Sequence, residues 1–481
     1  MTSFAVVIGA GANELVAAHY LARAGHRALV LTPTADGAPA GLGWVPESIV
    51  RDLGLAERGL QVVRADPWAV APLPDGGRLE LWCDVARAAE SIRRVSPADA
   101  AKWPAFCARM ARLARLLETV YLAPPPDPLA SGRRDLLQLA GLALRARGLG
   151  RQGIEDLLRT LPMPVADLLD DWFESDALKG VLGAAGVMHL AQGPRSAGTA
   201  FGLLHRHVGS PPGVFHPSRS NFRRALAGLP GIQIRPGAEV VRISVREGRA
   251  TGVVLANGEE IAASVVVSGA DPKRTLLELV DPGWLDPALV RAVRAIRARG
   301  VVARLTLALD RAPGFSTLVM APSLDYLERA HDDAKYGRVS RSPWLEATSD
   351  GERVDVHVQY APYDLADSEW DEARCGSLAE LAAGMLAPHL GASIVARRLR
   401  SPVDLERDYG WPGGQAHQAE PALDQLLWMR PIPALARYRT PIAGLYLCGT
   451  GVHPGGGVAG APGANAARTV LGDRARLSAG R

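Results

Sequence analysis

A strand, a dense run of glycines and a helix close the chain, and that combination leaves few choices of fold. The stretch is Gly444-Leu-Tyr-Leu-Cys-Gly-Thr-Gly-Val-His-Pro-Gly-Gly-Gly-Val-Ala-Gly460, followed by a helix-compatible segment from Ala464 to Leu471. Glycines placed between a strand and a helix let backbone approach a flat or anionic ligand closely. The helix N-terminus then turns unpaired N–H groups and the positive dipole end toward that ligand. The opposite end of the chain carries a matching element. Phe4 to Ile8 is a short apolar run that ends in Gly9-Ala-Gly11-Ala-Asn-Glu14. This is a dinucleotide fingerprint whose third glycine is replaced by glutamate.

Leu15 to Ala24 reads as a helix and Arg27 to Thr32 as a second strand, which completes a βαβ unit. Thr34 to Gly43 reads as a loop and Val45 to Leu60 as helical. Helical spacing recurs over Pro97–Val120, Asp135–Arg147, Ile154–Leu161 and Val165–Leu182. Val240–Val245, Thr251–Leu255 and Ile261–Ser268 read as three strands, turned by Glu247-Gly-Arg and Asn257-Gly. Pro287–Arg299 and Leu378–Leu390 read as helices, Val301–Leu309 and Val354–Tyr360 as strands. The two glycine elements form one site only if the nucleotide domain is assembled from separate segments. The predicted class is therefore α/β, with a discontinuous Rossmann-like nucleotide-binding domain and an inserted α+β substrate domain. The expected boundaries are 1–60, 231–280 and 436–481 for the nucleotide domain. The helical part of the substrate domain falls at 61–230 and its sheet part at 281–435.

Of the 54 basic residues only Lys102, Lys179, Lys273 and Lys335 are lysine, and the arginines are interleaved with acids. A net charge of +4 spread in this way is no phosphate-tracking stripe, so nucleic acid is not an expected partner. Cys83, Cys107, Cys375 and Cys448 have no metal-ligand spacing, and Cys448 reads as core. His205-x-His207 lacks supporting acids, so no metal is expected. No apolar run is long enough to cross a bilayer and no basic leader precedes the first strand, so a cytoplasmic location is expected.

Stretches along the whole chain resemble the phytoene desaturase-like flavoprotein oxidoreductases of the wider amine oxidase-like group. They resemble in particular the branch of pyridine nucleotide-disulphide oxidoreductase domain-containing protein 2. The resemblance is carried by Asp171-Trp-Phe-Glu-Ser-Asp-Ala-Leu-Lys179, Arg249-Ala-Thr-Gly-Val-Val-Leu255 and Gly269-Ala-Asp-Pro-Lys-Arg-Thr275. It continues through Ala321-Pro-Ser-Leu-Asp-Tyr-Leu-Glu-Arg-Ala330, Ala422-Leu-Asp-Gln-Leu426, Arg437-Tyr-Arg-Thr-Pro-Ile442 and the C-terminal loop. The resemblance implies an extended FAD. Its pyrophosphate would lie over Gly9, Gly11, Ala12 and Asn13, with Glu14 and Val240 also at the cofactor. The isoalloxazine would lie near Gly455, Gly456, Gly457, Val458 and Gly460, with Gly449 and Thr450 also at the cofactor. No catalytic residue is assigned.

Four departures from the family pattern cluster at the cofactor. Glu14 stands where the family has glycine, adding bulk and charge beside the diphosphate. Thr32 stands where the family has an acid for the ribose. The Arg-x-Gly-Gly segment is missing between Thr32 and Ile49. The glycine-rich turn near Ser218-Arg-Ser-Asn-Phe222 is altered. Two readings follow. The first is an FAD-dependent oxidoreductase of desaturase or dehydrogenase type acting on a small hydrophobic substrate. The second is a non-catalytic homologue that has lost FAD and serves as a partner or scaffold subunit, in a homo-oligomer or beside another protein. His453 is expected to pack in its loop. Asp424 and Arg430 are expected either on the substrate side or in a salt bridge. The helix Arg133–Arg147 is expected to pack in the substrate domain.

Overall fold

The computed structural model describes residues 4–34, 43–126, 133–211, 213–214 and 219–479. β1 (Phe4–Ile8), α1 (Ala12–Arg23) and β2 (Arg27–Thr32) form the βαβ unit that the glycine pattern predicts. They belong to a five-stranded, all-parallel sheet. Its order is Leu445–Leu447, Val265–Ser268, β1, β2, Ile232–Pro236. Ala5, Val6 and Val7 are fully buried, as expected of a strand covered on both faces. The carboxyl ends of three strands remote in sequence thus meet beside the start of α1.

The C-terminal helix, Ala461–Ala479, begins earlier than its apolar pattern suggests and packs on α1. The two backbones touch at Gly463, where any Cβ would collide with the carbonyl oxygen of Asn13. Gly463→Ala should therefore cost roughly 1–3 kcal/mol through forced separation of the two helices, read as a lower urea midpoint. An unchanged midpoint would mean the contact is loose.

The predicted strand Ile261–Ser268 is two strands in different sheets. Glu260–Ala262 joins an antiparallel sheet with Val240–Arg246 and Arg249–Leu255, whereas Val265–Ser268 pairs with β1. The handover is made by adjacent amides: Ala263 N–H donates to Thr251 O at 2.9 Å and Ser264 N–H to Phe4 O at 3.2 Å. An unbroken apolar run does not reveal such a switch. Val165–Leu182 likewise divides, into Val165–Trp172 and Asp176–Val187. The fully buried Asp99 carboxylate accepts the N–H groups of Glu174 and Ser175, each at 2.8 Å, and thereby ends the first helix. The helix predicted over Pro287–Arg299 stops at Arg294. Beyond it the backbone runs out to bond another loop, with Glu420 N–H on Arg297 O at 2.7 Å and Gly300 N–H on Gly413 O at 2.9 Å.

A seven-stranded sheet carries the remaining architecture. Its order is Ile394–Arg400, Val302–Leu309, Arg353–Gln359, Trp344–Asp350, Thr317–Met320, Ala69–Pro72, Arg78–Leu81. Alternation along the central strands makes its two faces unlike. Leu305, Leu307, Ala347, Val354, Val356 and Val358 pack under the helix Glu372–Leu390. The opposite face bears Arg304, His357 and Glu346 in one cross-strand register and Thr306, Asp355 and Thr348 in the next.

Helix Arg133–Arg147 packs at the surface, on the helices Pro97–Tyr121 and Gly150–Thr160. None of its described side chains is buried, and Leu136, Leu137 and Leu144 are exposed. Asp135 anchors it through Arg437 Nη2 at 2.7 Å. Among the described residues no helix is long and apolar enough to cross a membrane.

Candidate functional site

β1 ends at Gly9, whose φ of +99° suits the tight turn, and Gly11 caps α1 without a side chain. In a dinucleotide site the N–H groups freed here would face phosphate. They face Glu14 instead. Glu14 lies in the first turn of α1, and its side chain folds back across the cradle. A Cβ on Gly11 would collide with Glu14 Oε2, and one on Gly269, just past the strand Val265–Ser268, with Oε1 and Cγ. The carboxyl group therefore lies between the ends of two neighbouring strands, 7% exposed. Burial pushes its pKa up to about 7, against the opposing pull of the Gly11 and Glu14 N–H groups. Buried beside it, the Cys448 thiol is held well above its ordinary pKa, first by burial and then by the Glu14 charge.

The other predicted cofactor residues surround this group. Ala12 and Asn13 open α1, and Asn13 Oδ1 accepts Gly460 N–H at 2.9 Å, tying the two glycine elements together. Gly449 lies against Gly269 O and Gln418 Oε1. Gln418 bridges the site, donating from Nε2 to Gly269 O at 2.9 Å and accepting Gly451 N–H at 3.0 Å. Thr450 Oγ1 donates to Ala416 O at 3.3 Å. Val240 is a buried core residue paired with Leu255. Thr32 Oγ1 donates locally to Thr34 O at 2.9 Å. Residues 35–42, where the expected Gly-Gly segment is missing, and Ser218 lie outside the described residues.

Protein groups also cover the C-terminal glycine loop. Trp44 N–H donates to Gly457 O at 2.9 Å and Ala459 N–H to Trp44 O at 2.8 Å, so the chain beyond residue 42 zips onto Val458. A Cβ on Gly456 would meet His417 Nδ1 at 2.5 Å, one on Gly455 Arg430 Nε at 3.0 Å and one on Gly457 His205 Nε2 at 3.2 Å. His205 Nε2 donates to Gly456 O at 2.7 Å, leaving Nδ1 to accept the Tyr121 hydroxyl at 2.8 Å. His207 turns away, Nδ1 donating to Val214 O at 2.5 Å, so the two histidines share no ligand position. His453 is fully buried and donates from Nε2 to Val120 O at 3.1 Å; burial lowers its pKa to about 4. It packs its loop, as expected.

Arg430 and Asp424 do not pair. Asp424 binds Arg297, with Nη1 to Oδ2 at 2.9 Å. Arg430 is fully buried and serves carbonyls only. Nη2 donates to His417 O at 2.8 Å, Ala419 O at 3.0 Å and Thr450 O at 2.8 Å. Nη1 donates to Gln425 O and Nε to Val452 O, each at 3.3 Å. Burial pushes its pKa down to about 10, so it stays charged at neutral pH. Sequence reading assigns no site role to Gln418, His205 or His417, because Gln418 and His205 bond backbone more than thirty residues away and the His417 ring lies against Gly456. For Gly269 a signal existed: a glycine directly after the strand that pairs with β1.

The FAD that the resemblance implies does not fit this arrangement. Its diphosphate needs the bare N–H groups and open glycine backbone at Gly9, Gly11 and Gly269, and the Glu14 carboxyl stands there. A second anion against a buried carboxylate is repelled, and against the neutral acid it is excluded by volume.

Comparison with known proteins places this geometry. The sequence pattern of flavin containing amine oxidoreductases matches residues 200–471. Pyridine nucleotide-disulfide oxidoreductase domain-containing protein 2 of Rattus norvegicus is 33% identical, over 98% of this chain and 93% of that protein. A limonene dehydrogenase subunit of Castellaniella defragrans is 25% identical, over 97% of this chain and 94% of its own length. Among solved structures, an oxidoreductase from Methanosarcina mazei superposes with a TM-score of 0.56 at 15% identity, covering 98% of this chain and all (100%) of that one. That last likeness concerns the fold alone.

Proposed function

The chain belongs to the flavin-containing amine oxidoreductases, and we propose that within this family it is a flavin-free member, kept as a partner or scaffold subunit of an oxidoreductase. One observation carries the reading: the Glu14 side chain fills the place that a diphosphate needs, on the backbone of Gly11 and Gly269. Two others support it. Thr32 supplies no carboxylate for a ribose and is satisfied by Thr34 O. Leu136, Leu137 and Leu144 present apolar surface that a solitary monomer gains nothing by exposing. The similar limonene dehydrogenase protein bears a name that makes it one part of an assembly.

The FAD-dependent oxidoreductase reading has its own support. Gly455–Gly460 and the following helix keep the family's glycine run, and the likeness to pyridine nucleotide-disulfide oxidoreductase domain-containing protein 2 spans nearly the whole chain. Fold and loop alone do not make an enzyme. The visible spectrum of the protein as isolated separates the two. The flavin-free reading expects no flavin band, and none after incubation with excess FAD and desalting. A band retained in stoichiometric amount would establish the oxidoreductase reading in its place.

A further inference from the structure

The polar face of the seven-stranded sheet holds groups that neither reading uses. Arg304 and His357 are cross-strand neighbours, and His357 in turn lies opposite Glu346. From the sheet a file of flat rings runs toward the glycine loop. Trp344 and His357 have centroids 4.9 Å apart, His357 and His189 4.8 Å, His189 and His417 5.1 Å. Gln359 fixes the file. Its Nε2 donates to Val187 O at 2.8 Å and Leu190 O at 3.2 Å, so Oε1 accepts the His189 backbone N–H and His357 Nε2–H, both at 2.9 Å. Among the described residues His357 Nδ1 accepts no hydrogen bond.

The charges here do not balance. Arg206 Nη2 stands 3.7 Å from Glu346. Arg400 Nε reaches Asp408 at 3.3 Å. Asp355, the nearest acid to Arg304 on this face, is held by Arg353 at 2.8 Å and by the Thr306 hydroxyl at 3.0 Å. Among the described residues Arg304 has no ion pair and no hydrogen bond; its guanidinium only overlies Trp411 at 5.5 Å. The rings of His189 and His417 also have no hydrogen-bond partner among the described residues. Arg304, His189 and His417 are deep enough for burial to lower their pKa values, and yet each keeps open surface. An uncompensated guanidinium in such a place costs stability unless an anion or water meets it.

We propose that this face of the sheet binds a small organic anion, its carboxylate on Arg304 and its flat, unsaturated body along the His357–His189–His417 rings. Arginine supplies two parallel donors in the plane a carboxylate requires. Neutral imidazoles add further N–H donors and flat faces without a competing charge. The ligand class differs from the hydrophobic substrate expected of the family resemblance, and it does not depend on whether a flavin is held.

Calorimetric titration of the full chain with benzoate, and with the uncharged isostere benzamide, tests the proposal. Benzoate should bind and benzamide should bind roughly tenfold to a hundredfold more weakly, the span of one charge-assisted pair. Arg304→Met should bring benzoate down to the benzamide level, while Arg304→Lys, which keeps the charge, should hold an intermediate affinity. Thermal melts of both variants check that they fold. The proposal fails if benzoate does not bind the native chain, if benzamide binds as well, or if a folded Arg304 variant without charge binds benzoate unchanged.

Discussion

Arg430→Met should cost about 4 kcal/mol or more, a large share of the roughly 5–15 kcal/mol that holds a chain of ordinary stability folded. The guanidinium is fully buried and holds together carbonyls from three places: His417 and Ala419, Gln425, and Thr450 and Val452. Methionine fills much of the volume and offers no donor. Each carbonyl sealed from water without a partner costs roughly 1–3 kcal/mol, and five are affected. Loss of the buried charge offsets part of this, since burial alone already lowers the Arg430 pKa to about 10. Lysine does not rescue, because one ammonium has three donors and no fork. Urea denaturation reads the result. A loss below about 1 kcal/mol would mean that water replaces the guanidinium and that the loop is not built on it.

Glu14→Gln should stabilise the protein at pH 8 and change little at pH 4.5. In the fold this acid titrates near 7, raised from 4.5 by burial. Below pH 4.5 it is protonated both folded and unfolded, and burial costs it nothing as a charge. As pH rises the unfolded chain releases the proton first, so stability falls across the window from 4.5 to about 7 and then levels. At ~1.4 kcal/mol per pH unit the full penalty is about 3–4 kcal/mol. The isosteric amide carries no such penalty and keeps the cradle filled. Comparing native and variant chains cancels other titrating groups, among them Asp271, which burial raises to about 6. Denaturation at both pH values checks the window. A gap of equal size at the two would contradict a buried, titrating Glu14.

Much of the fold was legible because it rests on local chemistry. The Gly9 turn, the apolar run of β1 and the C-terminal glycine loop each name their element, and their separation in the chain required a discontinuous domain. Where sequence reading erred, the deciding partner was remote. Asp99 broke a helix from 75 residues away, and the Ile261–Ser268 run changed sheets inside one apolar segment. At the site, Glu14 was legible as a misfit beside a diphosphate, but not the direction of its side chain. Only the backbone of Gly11 and Gly269 shows that it lies in the cradle instead of pointing to solvent. The strand Arg353-Val-Asp-Val-His-Val-Gln359 displays its polar face openly in sequence. Its alternation was used to assign a strand, and the chemistry of the face waited for register with Arg304 and Glu346.

The central claim is that the protein's own carboxyl occupies the dinucleotide cradle. Titration of FAD at pH 8 into the native chain and into Glu14→Gly, followed by flavin fluorescence, tests it most directly. The account predicts no saturable binding to the native chain and measurable binding once the side chain is gone. Tight, stoichiometric binding of FAD by the native protein, unchanged by Glu14→Gly, would contradict it.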